Sequence, residues 1–310
     1  MPLSPHASPA ADRRGIAEMF TGSLVAIVTP MTSDGAVDVE AWDRLIDWHI
    51  DSGTRGVVIG GTTGESATLE EHELIALAEW TCERSAGRIA VVVGAGSSST
   101  AATVGRARSL AHLPIDALLV VTPAYNRPTQ EGLYRHFAAV AEAATKPLIL
   151  YNVPTRTAVD MLPATTGRLS QLPGIVAVKE AVPGADRVRQ ILALSQDGFL
   201  VLSGDDATAR EAILAGARGV ISVSANVAPR AMSEMVTAAL CGDSAAAMRL
   251  DSPLQGLHQA LFLEANPIPV KWALAQLGRI GAGIRLPLTE LSESHWPGVL
   301  AALRAAGQMA

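Results

Sequence analysis

Eight short runs of valine, isoleucine and leucine recur along this chain, each followed by a longer segment whose apolar residues return every three or four positions. That alternation restricts the fold more than any other feature. The runs cover residues 23–29, 56–60, 89–94, 117–121, 148–152, 175–179, 199–202 and 219–223. They are almost continuously apolar, as expected of parallel strands covered on both faces. Helical patterns occupy 38–49, 69–85, 101–111, 130–144, 162–172, 185–195, 207–215 and 229–240. Eight strand–helix units predict an α/β fold, a closed (β/α)8 TIM barrel. An open doubly wound sheet is the alternative, weakened because no Gly-x-Gly-x-x-Gly pattern follows the first strand.

After Leu240 the alternation stops. Residues 243–310 read as a C-terminal helical appendage, broken near Asn266-Pro-Ile-Pro269 and Arg285-Leu-Pro-Leu-Thr289. The expected organisation is a loose N-terminal extension over 1–18, a catalytic barrel over 19–242, and the helical region beyond it. The first residues are rich in Pro and Ala and lack the apolar core of a secretory signal. Net charge is −6 and no basic stripe lies on any predicted face, which disfavours nucleic acid as a partner. No apolar run approaches the roughly 18 residues of a membrane helix. Cys82 and Cys241 have no metal-ligand spacing and read as reduced, buried thiols of a cytosolic protein.

In such barrels the chemistry collects at the carboxyl ends of the strands. Lys179, one of only three lysines, stands there, closing the run Gly174-Ile-Val-Ala-Val-Lys179. An amine facing a barrel interior would be partly desolvated, which favours the neutral form that attacks carbonyls. The plain alternative is a snorkelling strand-end lysine. The other two have ordinary explanations: Lys146 ends an Ala-rich helix, and Lys271 opens a new one.

The second strand runs into Gly60-Gly-Thr62-Thr63-Gly-Glu65-Ser66, whose amides and hydroxyls would suit a carboxylate, or form only a Gly-rich turn with a Ser cap. Tyr151 ends strand five, and neighbouring strands lie about 4.8 Å apart, so it should sit beside Lys179. A phenol there can relay protons, or its hydroxyl can simply face water. Tyr125 follows strand four, while Tyr134 lies within a helix and reads as packing. Arg156 stands two residues past Pro154 over strand five, suited to a substrate carboxylate or to a surface ion pair. Gly204-Asp-Asp206 follows strand seven, its acids reading as an N-cap. Ile221 lies in strand eight, where its side chain or carbonyl could face the mouth. Glu65, Asp205 and Asp206 show no metal-binding spacing. Together the amine, the hydroxyls, the cradle and the arginine describe Schiff-base chemistry on a small keto acid.

From about Met19 to Gly307 the chain resembles the dihydrodipicolinate synthase family of pyruvate-dependent class I aldolases, within the wider group of N-acetylneuraminate lyase. The resemblance rests on Gly61-Thr-Thr-Gly-Glu-Ser-Ala-Thr68, Tyr125-Asn-Arg-Pro-Thr-Gln-Glu-Gly-Leu-Tyr134, Tyr151-Asn-Val-Pro-Thr-Arg-Thr157, Val178-Lys-Glu-Ala181, Leu202-Ser-Gly-Asp-Asp206 and Asn266-Pro-Ile-Pro-Val-Lys-Trp272, in this order. It implies that Lys179 forms an imine with pyruvate. It implies that Thr63, its neighbouring amides, Gly204 and the backbone at Ile221 bind substrate. Tyr151, Thr62 and Tyr125 would relay protons, Tyr125 from a neighbouring subunit, and Arg156 would receive the carboxylate of L-aspartate 4-semialdehyde. The implied product is 4-hydroxy-tetrahydrodipicolinate, on the diaminopimelate route to lysine. No cofactor is implied, and the implied assembly is a homodimer or a tetramer of two dimers.

One departure stands out. Lysine-inhibited members have two histidines, an asparagine, a glutamate and a tyrosine where this chain has Glu71, Leu74, Ser98, Ala102 and Ala124. Weak or absent inhibition by lysine is therefore expected. Two rival readings remain: a pyruvate-linked lyase acting on N-acetylneuraminate, a 2-keto-3-deoxy sugar acid or 4-hydroxy-2-oxoglutarate, and a silent barrel that only binds a keto acid.

Overall fold

The computed structural model describes residues 15, 16 and 18–309. Eight parallel strands close into one barrel in sequence order. They are β1 (Gly22–Ala26), β2 (Gly56–Ile59), β3 (Ala90–Gly94), β4 (Ala117–Val121), β5 (Leu148–Asn152), β6 (Ile175–Glu180), β7 (Leu200–Ser203) and β8 (Gly219–Ser222). Their bounds lie within a few residues of the apolar runs. The closed ring excludes the open sheet.

Alternation along each strand sorts the side chains into two cores. Leu24, Ala26, Val58, Val92, Leu119, Ile149, Ala177, Leu202 and Ile221 point inward and fill the barrel. Val25, Val57, Val91, Val93, Leu118, Val120, Leu150, Val178 and Val220 point outward, under the helices. Side chains are therefore apolar on both faces, which is why no polar alternation marks these strands in the sequence.

Helices begin where the sequence supplies caps. Asp38, Ser99 and Thr129 each accept a hydrogen bond from a backbone amide in the first turn that follows. Glu70 and Glu73 form a reciprocal capping box before the helix Glu71–Ser85. Of the extension expected at the N-terminus, residues 1–14 and 17 lie outside the described residues. Ile16 and Phe20 pack against the inner core, where Phe20 is fully buried.

Beyond the barrel run the helices Ser244–Asp251, Gln255–Ala260, Ile268–Gln276 and Trp296–Ala305. Leu254, Leu257, Val270, Leu274, Val299 and Leu303 join the outer core, so this region shares the barrel's hydrophobic layer. The Trp272 and Trp296 rings stack within it, 5.5 Å between centroids. Both cysteines are free, but neither is fully buried as expected: Cys82 is half-buried, and Cys241 is exposed just past the helix Pro229–Leu240. Among the described residues no helix is long and apolar enough to cross a membrane.

Candidate active site

Strand parity decides which side chains enter the mouth. Ala177 belongs to the inner core, so Lys179, two residues on, points the same way. Ile149 and Tyr151 obey the same rule on β5. The ladder pairs Tyr151 with Lys179 directly, and Lys179 with Leu202 on its other side. Lys179 Nζ lies 4.4 Å from the centroid of the Tyr151 ring, and the two residues are only 4% and 7% exposed. Among the described residues Nζ has no carboxylate partner and no hydrogen-bond acceptor. The amine is thus enclosed, faces a phenol ring and, among the described residues, is free of any ion pair.

Gly204 gives this lysine its room. A Cβ there would lie 3.1 Å from Lys179 Cε and 3.1 Å from Ala181 Cβ. The Gly204 amide donates to the Glu180 carbonyl at 2.7 Å, holding the turn after β7 against β6. Ile221 is fully buried in the inner core, paired in register with Leu24.

Residues 60–69 form the loop after β2. Gly60 turns it at φ +60, where a Cβ would also strike Leu74. The N–H groups of Gly61, Thr62 and Thr63 have no acceptor among the described residues, which leaves them open to an anion. Thr63 is buried and its Oγ1 accepts a hydrogen bond from Asn266 Nδ2 at 2.9 Å. Thr62 and Tyr151 line one narrow cavity of about 40 Å³, together with Ser66, Gly96 and Arg106.

Arg156 sits in a single helical turn, Pro154–Thr157, and its Nη2 donates to the Asn266 carbonyl at 3.1 Å. Asn266 therefore touches both Thr63 and Arg156, through different groups. Beneath this turn, Glu180 and Asp160 both receive Arg187, at 3.0 and 2.5 Å, and Asn152 Nδ2 donates to both carboxylates. Burial pushes the Glu180 carboxyl above its ordinary range, and the nearby Arg187 charge opposes that shift.

The structure thus brings Lys179, Tyr151, Thr62, Thr63, Gly204, Ile221 and Arg156 to one end of the barrel. Tyr125 is not part of its own chain's cluster. It is 95% exposed, with φ 68 in the left-handed region, on the loop after β4. Asp205 acts partly as expected, since its Oδ2 accepts from the Thr208 amide at 3.1 Å before the helix Ala209–Leu214. Asp206 does not cap: it is buried and accepts from the amides of Val223 and Ser224, both at 2.9 Å, fixing the end of β8.

Sequence reasoning also missed the cluster behind the loop. Lys271, read as an ordinary helix opener, is buried and ion-paired to Glu65. Its signals were the rarity of lysine in this chain and its place in the Asn266-Pro-Ile-Pro-Val-Lys-Trp272 motif. Asn266 opens that same motif, but nothing local ties it to its partner Thr63, which lies 203 residues away. Among the described residues no three His, Cys, Asp or Glu side chains group to hold a metal ion.

Residues 19–306 match the pattern of the dihydrodipicolinate synthetase family. The chain is 54% identical to the 4-hydroxy-tetrahydrodipicolinate synthase of Laribacter hongkongensis over 288 residues, 93% of this chain and 99% of that one. It is 53% identical to the synthase of the same name from Methylococcus capsulatus, again over 93% of this chain and 99% of that one. Among solved structures it superposes on the chloride-inhibited dihydrodipicolinate synthase of Acinetobacter baumannii complexed with pyruvate, with a TM-score of 0.92 at 46% identity, covering 93% of this chain and 99% of that one. With a closed eight-stranded barrel, a buried lysine at its mouth and a match over nearly its whole length, the chain belongs to the dihydrodipicolinate synthetase family.

Proposed function

We propose that this chain is a Schiff-base-forming lyase that condenses pyruvate with L-aspartate 4-semialdehyde to give 4-hydroxy-tetrahydrodipicolinate, on the diaminopimelate route to lysine. The family match and the relatives' names support the reaction. The observation that carries it is the enclosed, unpaired Lys179 amine facing Tyr151 at 4.4 Å.

In this reading the Lys179 amine attacks the keto carbon of pyruvate and water leaves as the imine forms. The carboxylate of pyruvate rests on the open amides of Thr62 and Thr63, with Gly204 and the backbone at Ile221 lining the rest of its site. A methyl proton is lost and the enamine's carbon attacks the aldehyde. Tyr151, Thr62 and Tyr125 pass protons to and from the reacting oxygen and nitrogen. Arg156 binds the carboxylate of the semialdehyde. The substrate's own amine then displaces Lys179 by transimination, which closes the ring and frees the enzyme. The imine itself is the electron sink, so the reaction requires no metal or organic cofactor.

The exposure and left-handed backbone of Tyr125 support its insertion into the site of a second copy. The enzyme would then be a homodimer sharing Tyr125, or a homotetramer of two such dimers. Two unpaired cysteines support a reducing, cytoplasmic setting. Weak or absent inhibition by lysine is supported by the local bonding: Ser98 Oγ donates to the Ala124 carbonyl at 2.9 Å, and Glu71 accepts from Ser109 Oγ at 2.7 Å. Those polar groups are already engaged.

A coupled assay offering pyruvate with the semialdehyde, and separately N-acetylneuraminate, 2-keto-3-deoxy sugar acids and 4-hydroxy-2-oxoglutarate, tests the assignment. Condensation should exceed every cleavage reaction by orders of magnitude. Faster cleavage of any of the three would replace it.

A further inference from the structure

The loop that carries Thr62 and Thr63 has neither strand nor helix over residues 60–69, so the barrel ladder does not set its shape. Glu65 sits at its centre in the left-handed region, at φ 59, a conformation that costs a non-glycine residue about 1–2 kcal/mol. Such strain persists where surrounding contacts over-determine it. Here they do. The Glu65 amide donates to the Thr62 carbonyl at 3.1 Å, and its own carbonyl accepts from the amides of Thr68 and Leu69, at 2.9 and 3.1 Å. Its buried carboxylate takes Lys271 Nζ on Oε1 and the Arg285 amide on Oε2 at 3.2 Å.

Both cationic partners of the loop come from the C-terminal region. Arg285 grips Glu73 with two guanidinium nitrogens, at 2.7 and 2.5 Å, and donates to the Thr68 carbonyl at 2.8 Å. Lys271 is 3% exposed, and burial holds its ammonium below its ordinary pKa range against the opposing pull of Glu65. A buried ion pair is a poor device for stability, since apolar replacements of similar shape are often neutral or better. It does supply direction, and it cancels an anion directly behind amides that must accept a second carboxylate.

We propose that Lys271 is a positioning residue for the pyruvate carboxylate: through Glu65 it fixes the open amides of Thr62 and Thr63 and neutralises the charge behind them. The C-terminal region is then part of the pyruvate site, not an appendage to it. This rests on the reading of those amides as the carboxylate cradle.

The test uses the full-length enzyme as wild type, Lys271→Met and the double variant Glu65→Gln/Lys271→Met. The single variant strands a buried carboxylate and should lose both stability and pyruvate affinity. The double variant removes both charges and keeps an acceptor for the Arg285 amide, so it should melt close to wild type. Its KM for pyruvate should still rise by about tenfold or more, as displacement of positioning groups by an ångström or less can cost up to about 10²-fold. Its KM for the semialdehyde should change less than twofold. A folded double variant whose pyruvate KM stays within twofold of wild type would overturn the proposal. Borohydride trapping of wild type with pyruvate is run beside it: loss of that adduct would refute imine chemistry at Lys179, a failure distinct from an unchanged KM in the double variant.

Discussion

Lys179 and Tyr151 meet because two neighbouring strands of the same apolar character end at the same level. One is wholly apolar until its amine, the other until its phenol, and the ladder pairs them. Lys179→Arg retains a cation but offers no amine able to form the imine, so turnover should vanish while the melting temperature holds. Activity in that variant, measured with aspartate semialdehyde in excess, would remove the nucleophile from the account. Tyr151→Phe keeps the ring against Nζ and deletes only the hydroxyl. It should reduce kcat by about 10²–10⁴-fold, the usual worth of a general acid–base group. A kcat within a few-fold of wild type would leave Tyr151 as a wall of the site.

Two histidines tie helices to their neighbours with half of each imidazole unsatisfied. His49 Nδ1 lies 3.0 Å from Thr54 Oγ1, joining the end of the helix Val39–Asp51 to the approach to β2. His136 Nδ1 lies 2.9 Å from Thr100 Oγ1, joining the helices Gln130–Ala143 and Thr100–Ser109. The Nε2 atom of each is buried without a partner among the described residues. Burial drives the pKa of His49 down to about 3 and that of His136 down to about 4. Both are depressed below the unfolded value of 6.5, so the unfolded chain binds more protons in that window. Stability is therefore full above about pH 6.5 and falls as the pH drops toward 3–4. At pH 5 the loss from His49 alone should be about 2 kcal/mol. Urea unfolding at pH 7 and pH 5 should show a smaller decrease for His49→Gln than for wild type. Equal decreases would mean that another group carries the acid sensitivity.

Strand positions were readable to within a few residues because both faces of each strand are apolar, a pattern that survives without knowledge of neighbours. Lys179 and Tyr151 were readable for the same reason, since parity and strand ends are local properties. The loop after β2 was only half readable. Its glycines and hydroxyls suited either an anion cradle or a Gly-rich turn with a Ser cap, and the Glu65–Lys271 pair joins residues 206 apart and leaves no periodic trace. Asp206 misled because an acid before a helix resembles a cap, whereas its carboxylate reaches across to the amides after β8. Cys241 misled because a helical pattern does not say how exposed the residue just past its end will be.

For the proposed dimer, Tyr125 provides the clearest test. Mixing Lys179→Ala chains with Tyr125→Phe chains under conditions that exchange subunits would create one site with an intact lysine and an intact incoming phenol. Activity should rise well above that of either parent. No recovery in verified mixed dimers would keep Tyr125 out of the partner's site. Titration with L-lysine should leave the rate of wild type almost unchanged at millimolar concentrations, and strong partial inhibition would show that Glu71, Leu74, Ser98, Ala102 and Ala124 still build an effector pocket.

Covalent capture probes the chemistry most directly. Wild-type enzyme is reduced with borohydride with and without pyruvate, digested, and its peptides weighed by mass spectrometry. One pyruvate-dependent secondary amine on Lys179 is the predicted product, and no adduct, or one on Lys146 or Lys271 instead, would contradict it.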